Sequence, residues 1–447
     1  MTSITSWQRH LPRHWKVRRL KHVAHVAFSN VDKKSYENGT PIRLCNYTDV
    51  YNNEAITAGM DLMEATATPR EIGRFGLRRG DVLVTKDSET WNDIAIPALV
   101  AEALPEVVCG YHLALLRPAP AAMSGEYLLR ALQTSGVKEQ FHVAATGVTR
   151  FGLGQGDLRN AILPVPPLPT QRAIADFLDR KTRAIDELIR KKERLIELLQ
   201  EKRQALITQT VTKGLDPDVP MKESGVRWLG EIPAHWEVKR LKHLSPHVTV
   251  GIVVTPSKYY ADTGVPALRS LNVTAGSLSD QDLVYLSPEG HRLHVKSALR
   301  VGDLVAVRTG KPGATAVVDA RFAESNCVDL IIIRQSRRFD SDYLCYLMNS
   351  AFAHAQYESG SEGALQLHFN IETAENLLLP TPPVAEQRAL RDALRGASHQ
   401  LDTARARLTR QIECLHEYRQ AKISAAVTGQ LDVHEEAGIE LPGAQAG

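Results

Sequence analysis

One thirteen-residue phrase occurs twice in this chain. Residues 11–23 read LPRHWKVRRLKHV and residues 232–244 read IPAHWEVKRLKHL, 221 positions later. Eight of the thirteen positions are identical and two more keep their apolar character. An internal repeat constrains architecture more strongly than any local propensity. Other pairs follow in the same order. LRRGDVLV (77–84) answers LRVGDLVA (299–306), and GEYLLRALQTSG (125–136) answers SDYLCYLMNSAF (341–352). LPVPPLPTQRAIADFL (163–178) answers LPTPPVAEQRALRDAL (379–394), and ITQTVTKGLD (207–216) answers ISAAVTGQLD (423–432). The offset drifts by a few residues, as short loop insertions in a shared fold would cause. The 447 residues therefore read as a tandem duplication with a period near 218, far longer than a solenoid unit.

Each copy changes texture once. Its first part alternates apolar runs such as DVLVTK, AIPALVA and YHLALLRP with turns at Asn38-Gly39, Arg79-Gly80 and Cys109-Gly110. That pattern predicts short strands with a few helices. In the second copy VPALRSLNV, DLVAVRTG and CVDLIIIRQ are the strand candidates. The hinges PVPPLP and PTPPVA close the mixed part, because proline continues neither a helix nor a central strand. Beyond each hinge the period becomes helical. Gln171 to Thr212 holds no Pro or Gly, with apolar residues at Ile174, Leu178, Ile185, Leu188, Leu195, Leu199 and Leu206. These spacings predict a coiled-coil seam, interrupted by Lys181, Lys192 and Lys202. The second helix repeats the pattern through Leu390, Leu394, Ala397, Leu401, Ala404, Leu408, Leu415 and Tyr418. Forty-odd residues at 1.5 Å each make a rod of roughly 60 Å. Two such rods in one chain are expected to pack on each other, antiparallel.

The expected fold class is α/β: two mixed α/β domains separated by two long antiparallel coiled-coil helices, a pseudo-twofold tandem repeat. The expected segments are a first domain over 1–168, a first helix over 169–213, connector and second domain over 214–383, a second helix over 384–429 and a tail over 430–447.

Catalytic signatures are missing. Thr309-Gly310-Lys311 lacks the rest of a phosphate-binding loop, and no HExxH, GxSxG or EF-hand loop occurs. Pro166-Pro167 and Pro382-Pro383 lack the flanking residues of an adenine-methyltransferase tetrapeptide. Gly80-Asp81-Val82-Leu83-Val84-Thr85-Lys86 approaches a nuclease motif, but Thr85 is no carboxylate ligand. Five cysteines, widely spaced and without a CxxC pair, are expected as reduced thiols in a cytoplasmic protein, with no metal site. No apolar run is long enough for a membrane span, and the opening MTSITSWQRHLPRHW carries no secretory h-region. A formal charge of +3 permits nucleic-acid binding without demanding it.

The stretch TVTKGLDPDVPMKESGVRWLGEIPAHWEVKRLKHL (210–244) resembles the connector of type I restriction-modification specificity subunits. Pro166 to Arg172 and Pro382 to Arg388, which start the long helices, are similar to the same family. The resemblance covers nearly the whole chain twice, and it is weak inside the mixed domains. It implies a subunit without catalytic activity of its own, whose two target-recognition domains each read half of a bipartite double-stranded DNA sequence. It implies helices that hold these domains apart and dock two methyltransferase subunits, with restriction–translocation subunits in the full complex. No cofactor is expected in this chain; S-adenosylmethionine would belong to the methyltransferase partners. The rival readings are a non-catalytic coiled-coil scaffold for protein partners, which salt-dependent DNA affinity would separate from a DNA reader, and a self-contained DNA-modifying enzyme.

Polar loops after strands are the candidate DNA contacts, since Arg, Lys, Asn, Gln, Ser and Thr supply phosphate and base-edge hydrogen bonds. In the first domain these are Arg43, Asn46, Tyr47 and Thr48; then Lys86 and Ser88; then Thr146, Thr149 and Arg150. Their counterparts by duplication are Arg269, Ser270 and Asn272; then Arg308, Thr309 and Lys311; then Ser361, Gln366 and His368. Trp15 and Trp236 are expected to anchor the start of each domain against its core, and the basic run beside them to be a solvated face.

Overall fold

A computed structural model describes residues 6–37, 39–245, 247–359 and 369–436. Two compact units emerge. One comprises the chain up to Lys192 together with the segment from Arg410 onward; the other spans Glu193–Thr409. Both boundaries fall inside the long helices, Leu168–Lys213 and Val384–Val427. Each unit is thus a mixed α/β globule with a stretch of both rods.

In the first unit five strands stand in the order Ala24–Phe28, Leu113–Pro118, Val82–Thr85, Pro97–Val100 and Ala55–Ile56. A second layer orders Met63–Ala67, Thr40–Cys45 and Val107–Cys109, the last pair parallel. The central strand shows why the VLV run is wholly apolar. Strand side chains alternate faces: Val82 and Val84 enter the core that contains Tyr127, Phe141 and Phe177, while Leu83 enters the one containing Leu44 and Val108. Both faces are covered, so neither can be polar.

The second unit repeats this plan. Val248–Val250, Leu330–Ile333, Leu304–Val307 and Thr315–Val317 form one sheet; Tyr260–Ala261, Val284–Leu286, Val265–Leu268 and Asn326–Cys327 form the other. Leu304 and Ala306 face a core with Trp236 and Tyr343, and Val305 and Val307 face another with Leu268 and Phe322.

The twice-written phrase has the same job in both units. Lys16–Arg19 pairs antiparallel with Ile162–Val165, and Glu237–Arg240 with Leu378–Thr381, the strand just before each long helix. Trp236 is fully buried and donates from Nε1 to Glu386 Oε1 at 3.0 Å. Trp15 is partly buried against the first core. Gly429 ends the second helix with φ +69°, and a Cβ there would lie 2.5 Å from Pro12, so this close approach requires glycine.

The Pro-Pro-x-x-x-Gln-Arg hinge is explained by its glutamine. Gln171 is fully buried; its Oε1 accepts from Ser124 N at 2.9 Å and its Nε2 donates to the Ala122 and Pro166 carbonyls. Gln387 does likewise with Asp340 N and Pro382 O, both at 2.8 Å. One side chain satisfies the backbone groups that prolines and a helix start leave open.

Within the first unit Asp186 meets Arg419 and Lys192 meets Gln411, so the helix segments run antiparallel. Within the second, Ile207 and Val211 share a core with Leu390 and Leu394. The seam differs from the sequence reading at three residues. Leu188, Leu195 and Tyr418 are exposed, and Ile189 is buried in place of Leu188. Leu188-Ile189 and Leu195-Ile196 are apolar doublets, and one residue turns a helix by about 100°. Periodicity cannot choose within a doublet; packing does.

Candidate DNA interface

In the first unit the chain leaves the central strand at Lys86 and makes the short strand Asp87–Ser88. That strand pairs with Phe151–Gly152, which pairs with Thr146–Gly147. Leu153 N also donates to Lys86 O at 2.9 Å. The second and third candidate loops are therefore one ribbon. Gly147 has φ +155° and its Cβ would strike Arg150 O at 2.0 Å, so only glycine turns this tip. The first loop joins through the helix Tyr47–Tyr51, whose Tyr47 phenol approaches the Ser88 hydroxyl. Burial pushes the Tyr47 phenol up. Tyr47 and Tyr51 stack with ring centres 5.4 Å apart, and Tyr51 donates to Asp93 Oδ2 at 2.6 Å. All three loops that the sequence singled out in this domain thus converge on one surface.

Charge on that surface is arranged unevenly. Lys86 Nζ stands 4.6 Å from the Tyr111 ring centre and 5.3 Å from that of Phe28, and donates to Ser29 O at 3.3 Å. Burial lowers its pKa, while the ring faces stabilise its charge. Arg150, more than half exposed, donates to Asp87 Oδ1 at 2.7 Å, and His112 Nδ1 lies 2.8 Å from Asp87 Oδ2. Thr146 and Thr149 are exposed on the same ribbon. Ser88 is buried, so it positions Tyr47 and does not face outward. Arg43 sits opposite Glu64 across the strand pair. Asn46 Nδ2 donates to Leu44 O at 3.4 Å. Together with Thr48 they line a groove that also holds Asp49, Asp61 and Glu64, a lining that repels phosphate.

The second unit keeps the skeleton with other side chains. Phe369 N donates to Arg308 O at 3.1 Å, the counterpart of the Leu153–Lys86 bond. Arg308 Nη1 pairs with Asp329 Oδ1 at 2.5 Å, and Asp329 holds a left-handed φ of +52°. Lys311 is exposed; Thr309 and Ser270 are half-buried. Arg269 Nη2 donates to Asp282 O at 2.6 Å. Asn272 must be corrected as a contact residue. It is fully buried, its Oδ1 accepting from Arg269 N at 2.9 Å and its Nδ2 donating to Gln281 O at 2.7 Å. Its polar atoms are spent on shaping the turn. Ser361, Gln366 and His368 lie outside the described residues.

Sequence reasoning missed Phe28, Tyr111 and His112, which with Asp87 of the second loop frame Lys86 and Arg150. The Cys109-Gly110 turn was the available signal, since the residues after it return beside the Lys86 loop. Among the described residues no group of three or more His, Cys, Asp or Glu is placed to hold a metal ion, and no helix is long and apolar enough to cross a membrane.

A profile of the type I restriction modification DNA specificity domain matches residues 12–198. A Methanocaldococcus jannaschii chain designated the type I restriction enzyme MjaX specificity subunit is 24% identical over 437 residues, covering 95% of each chain. Residues 12–198 thus match a type I DNA specificity domain, and over nearly its whole length the chain is similar to a type I specificity subunit. Solved structures bear out the specificity-subunit fold. A chain from a study of complex assembly and conformational transition of the type I R-M system has a TM-score of 0.71 at 18% identity, covering 94% of this chain and 99% of its own. The HsdS subunit from Thermoanaerobacter tengcongensis has a TM-score of 0.51 at 18% identity, covering 94% and 98%. The converging polar ribbon lies within residues 12–198, the segment that matches the DNA specificity domain profile.

Proposed function

We propose that this chain is the DNA sequence-specificity subunit of a type I restriction-modification complex, non-catalytic by itself. Each globule reads one half of a bipartite duplex target, and the paired helices set the spacer. The observation that carries this reading is the convergence of the Tyr47, Lys86 and Arg150 loops on one surface, in the same skeleton that the second unit repeats around Arg308. Phosphate contacts fall to Lys86, Arg150 and Lys311, and base contacts to the neighbouring Thr146, Thr149 and Ser270. Specificity and positioning divide between such groups in protein–DNA interfaces generally. Because one chain supplies both readers, the two half-sites need not be the same sequence. The partners are double-stranded DNA, two methyltransferase subunits that use S-adenosylmethionine, and restriction–translocation subunits. Leu188, Leu195 and Leu198, exposed on the first long helix, supply apolar docking area for the methyltransferase.

Co-expression with the products of its neighbouring genes, followed by mapping of methylated adenines, tests this reading. The expected result is a split motif with an unspecified gap. Methylation by this chain alone, or methylation without a split motif, would overturn it.

A further inference from the structure

Both units join globule to rods through the same backbone frame, but the charged side chains at that junction differ. In the first unit Arg419 donates from Nε to Asp186 Oδ1 at 2.8 Å and from Nη2 to Glu54 Oε1 at 2.6 Å. Arg130 donates from Nη1 to Glu54 Oε2 at 2.9 Å and from Nη2 to Asp179 Oδ1 at 2.7 Å. Gln133 Nε2 adds a bond of 2.7 Å to Glu54 Oε1. Burial works to raise the Glu54 carboxyl, but the two arginines overcome it and hold the group below its ordinary value.

The duplication places Arg203 where the first unit has Arg419, and Asp402 where it has Asp186. Backbone contacts fix that equivalence: Gln420 donates to Gln133 O at 2.8 Å, and Gln204 to Asn349 O at 3.0 Å. Tyr346 then replaces Arg130, and Arg395 replaces Asp179. Among the described residues no carboxylate reaches Arg203 as Glu54 reaches Arg419. A cavity of about 300 Å³ is found there, lined by Arg203, Arg395, Asn349, Tyr346 and the Ala275-Gly276 turn. Arg203 Nε is buried with no hydrogen-bond partner among the described residues, and Asp402 Oδ2 is 3.9 Å from it. Asp342 and Asp319 also line the cavity and are already paired, Asp342 with Arg395 at 2.9 Å and Asp319 with Arg321 at 2.8 Å, so Arg203 is the lining cation whose Nε is left over. A buried guanidinium nitrogen without an acceptor is costly, and an oxyanion is the ligand that relieves it most.

The geometry points to a binding site for one compact oxyanion, of the carboxylate or phosphate class, in the second unit. It lies where the Glu54 carboxylate lies in the first. This site is separate from the DNA-facing loops and stands whether or not the proposed function does.

The test titrates the full chain with inorganic phosphate and, separately, acetate, each against chloride at matched ionic strength. Calorimetry reads stoichiometry, and hydrogen exchange in Leu304–Val307 reads stabilisation of the second unit. Saturating ligand should raise that unit's melting temperature by about 2–4 °C. Preference for phosphate or for acetate identifies the class. Ala275→Glu carries a carboxylate into the cavity and should abolish the response. Arg395→Gln should weaken binding about tenfold, a check that survives any misfolding of the first variant. Glu54→Ala should open a matching site in the first unit and add a second equivalent of bound anion. No response beyond chloride, or a response unchanged in both Ala275→Glu and Arg395→Gln, overturns the site.

Discussion

The two candidate surfaces share a backbone and differ in how each holds its leading cation. In the first unit Lys86 projects from the end of the central strand over two aromatic rings and donates to the Ser29 carbonyl, with no carboxylate in hydrogen-bond contact among the described residues. In the second unit Arg308 leaves the equivalent strand and is met by Asp329. The backbone bonds behind them, Leu153 to Lys86 and Phe369 to Arg308, are alike at 2.9 and 3.1 Å. Duplication therefore preserved the frame while letting the presented charge diverge. Two copies of one fold can in this way read two different half-sites, because fold and reading surface are set by different residues.

The largest expected effect separates the two junctions. Arg130 is almost wholly buried and serves Glu54, Asp179 and Gln133, whereas its counterpart Tyr346 serves no such network. Arg130→Met should cost the first unit about 2–4 kcal/mol, less than a fully buried pair would, because Glu54 and Asp179 are partly exposed to water. Tyr346→Phe should cost the second unit under about 1 kcal/mol. Hydrogen exchange in Val82–Thr85 and in Leu304–Val307 reads the two units separately. Equal losses would break the contrast.

Next comes DNA. Lys86→Ala should weaken binding of the assembled complex to its target by about 1–2 kcal/mol and reduce the salt slope by about 1. Arg308→Ala should do less than half of this, since Asp329 already neutralises the charge. Asp329→Asn should sharpen the comparison by releasing Arg308 and steepening the slope. If Lys86→Ala and Arg308→Ala give the same slope, the two cations are equivalent and the pairing seen in the second unit does not matter to DNA.

A smaller effect follows from protons. The Glu54 carboxyl titrates below its ordinary value of 4.5 in the folded chain. Such a group contributes stability fully above the unfolded value and loses it as pH falls through the folded one. The first unit should accordingly lose protection in acid below about pH 4.5, and Glu54→Gln should flatten that loss. The second unit, where no described carboxylate takes Glu54's place, supplies the internal reference. An acid transition unchanged in Glu54→Gln would assign it to other carboxylates.

Much of this architecture was legible because the repeat and the hinges are matters of residue type. Gln171 and Gln387 recur after paired prolines since a helix start beside proline leaves backbone groups that one amide can satisfy. The three loops of the first domain were legible for a related reason: each follows a strand and carries polar residues around a glycine or an aromatic. What stayed hidden depends on where side chains point. Asn272 looks like a base reader in sequence and is a buried turn former. Tyr111 and Phe28 look like ordinary aromatics and carry Lys86 between them. The divergence at Glu54 was invisible too, because its partners lie 76, 79 and 365 residues away.

The rods offer the smallest and most discriminating contrast. In the doublet Leu188-Ile189 both side chains fit a heptad on paper, yet Ile189 is buried and Leu188 is 42% exposed. Leu195 and Leu198 are likewise exposed. A polar residue on a solvated helix face changes stability by within about 0.5 kcal/mol, so Leu188→Gln, Leu195→Gln and Leu198→Gln should each leave the melting curve of the isolated chain unmoved. Ile189→Gln places an amide in the seam and should cost several times more. If the exposed leucines are instead the docking surface of a methyltransferase subunit, the same three silent variants will weaken assembly when that subunit is added, while Ile189→Gln weakens assembly only as far as it unfolds the seam. Stability and assembly would then separate along two faces of one helix, one residue apart. Loss of both together in Leu188→Gln would mean that the seam, and with it the antiparallel packing seen within the first unit, had been assigned to the wrong face.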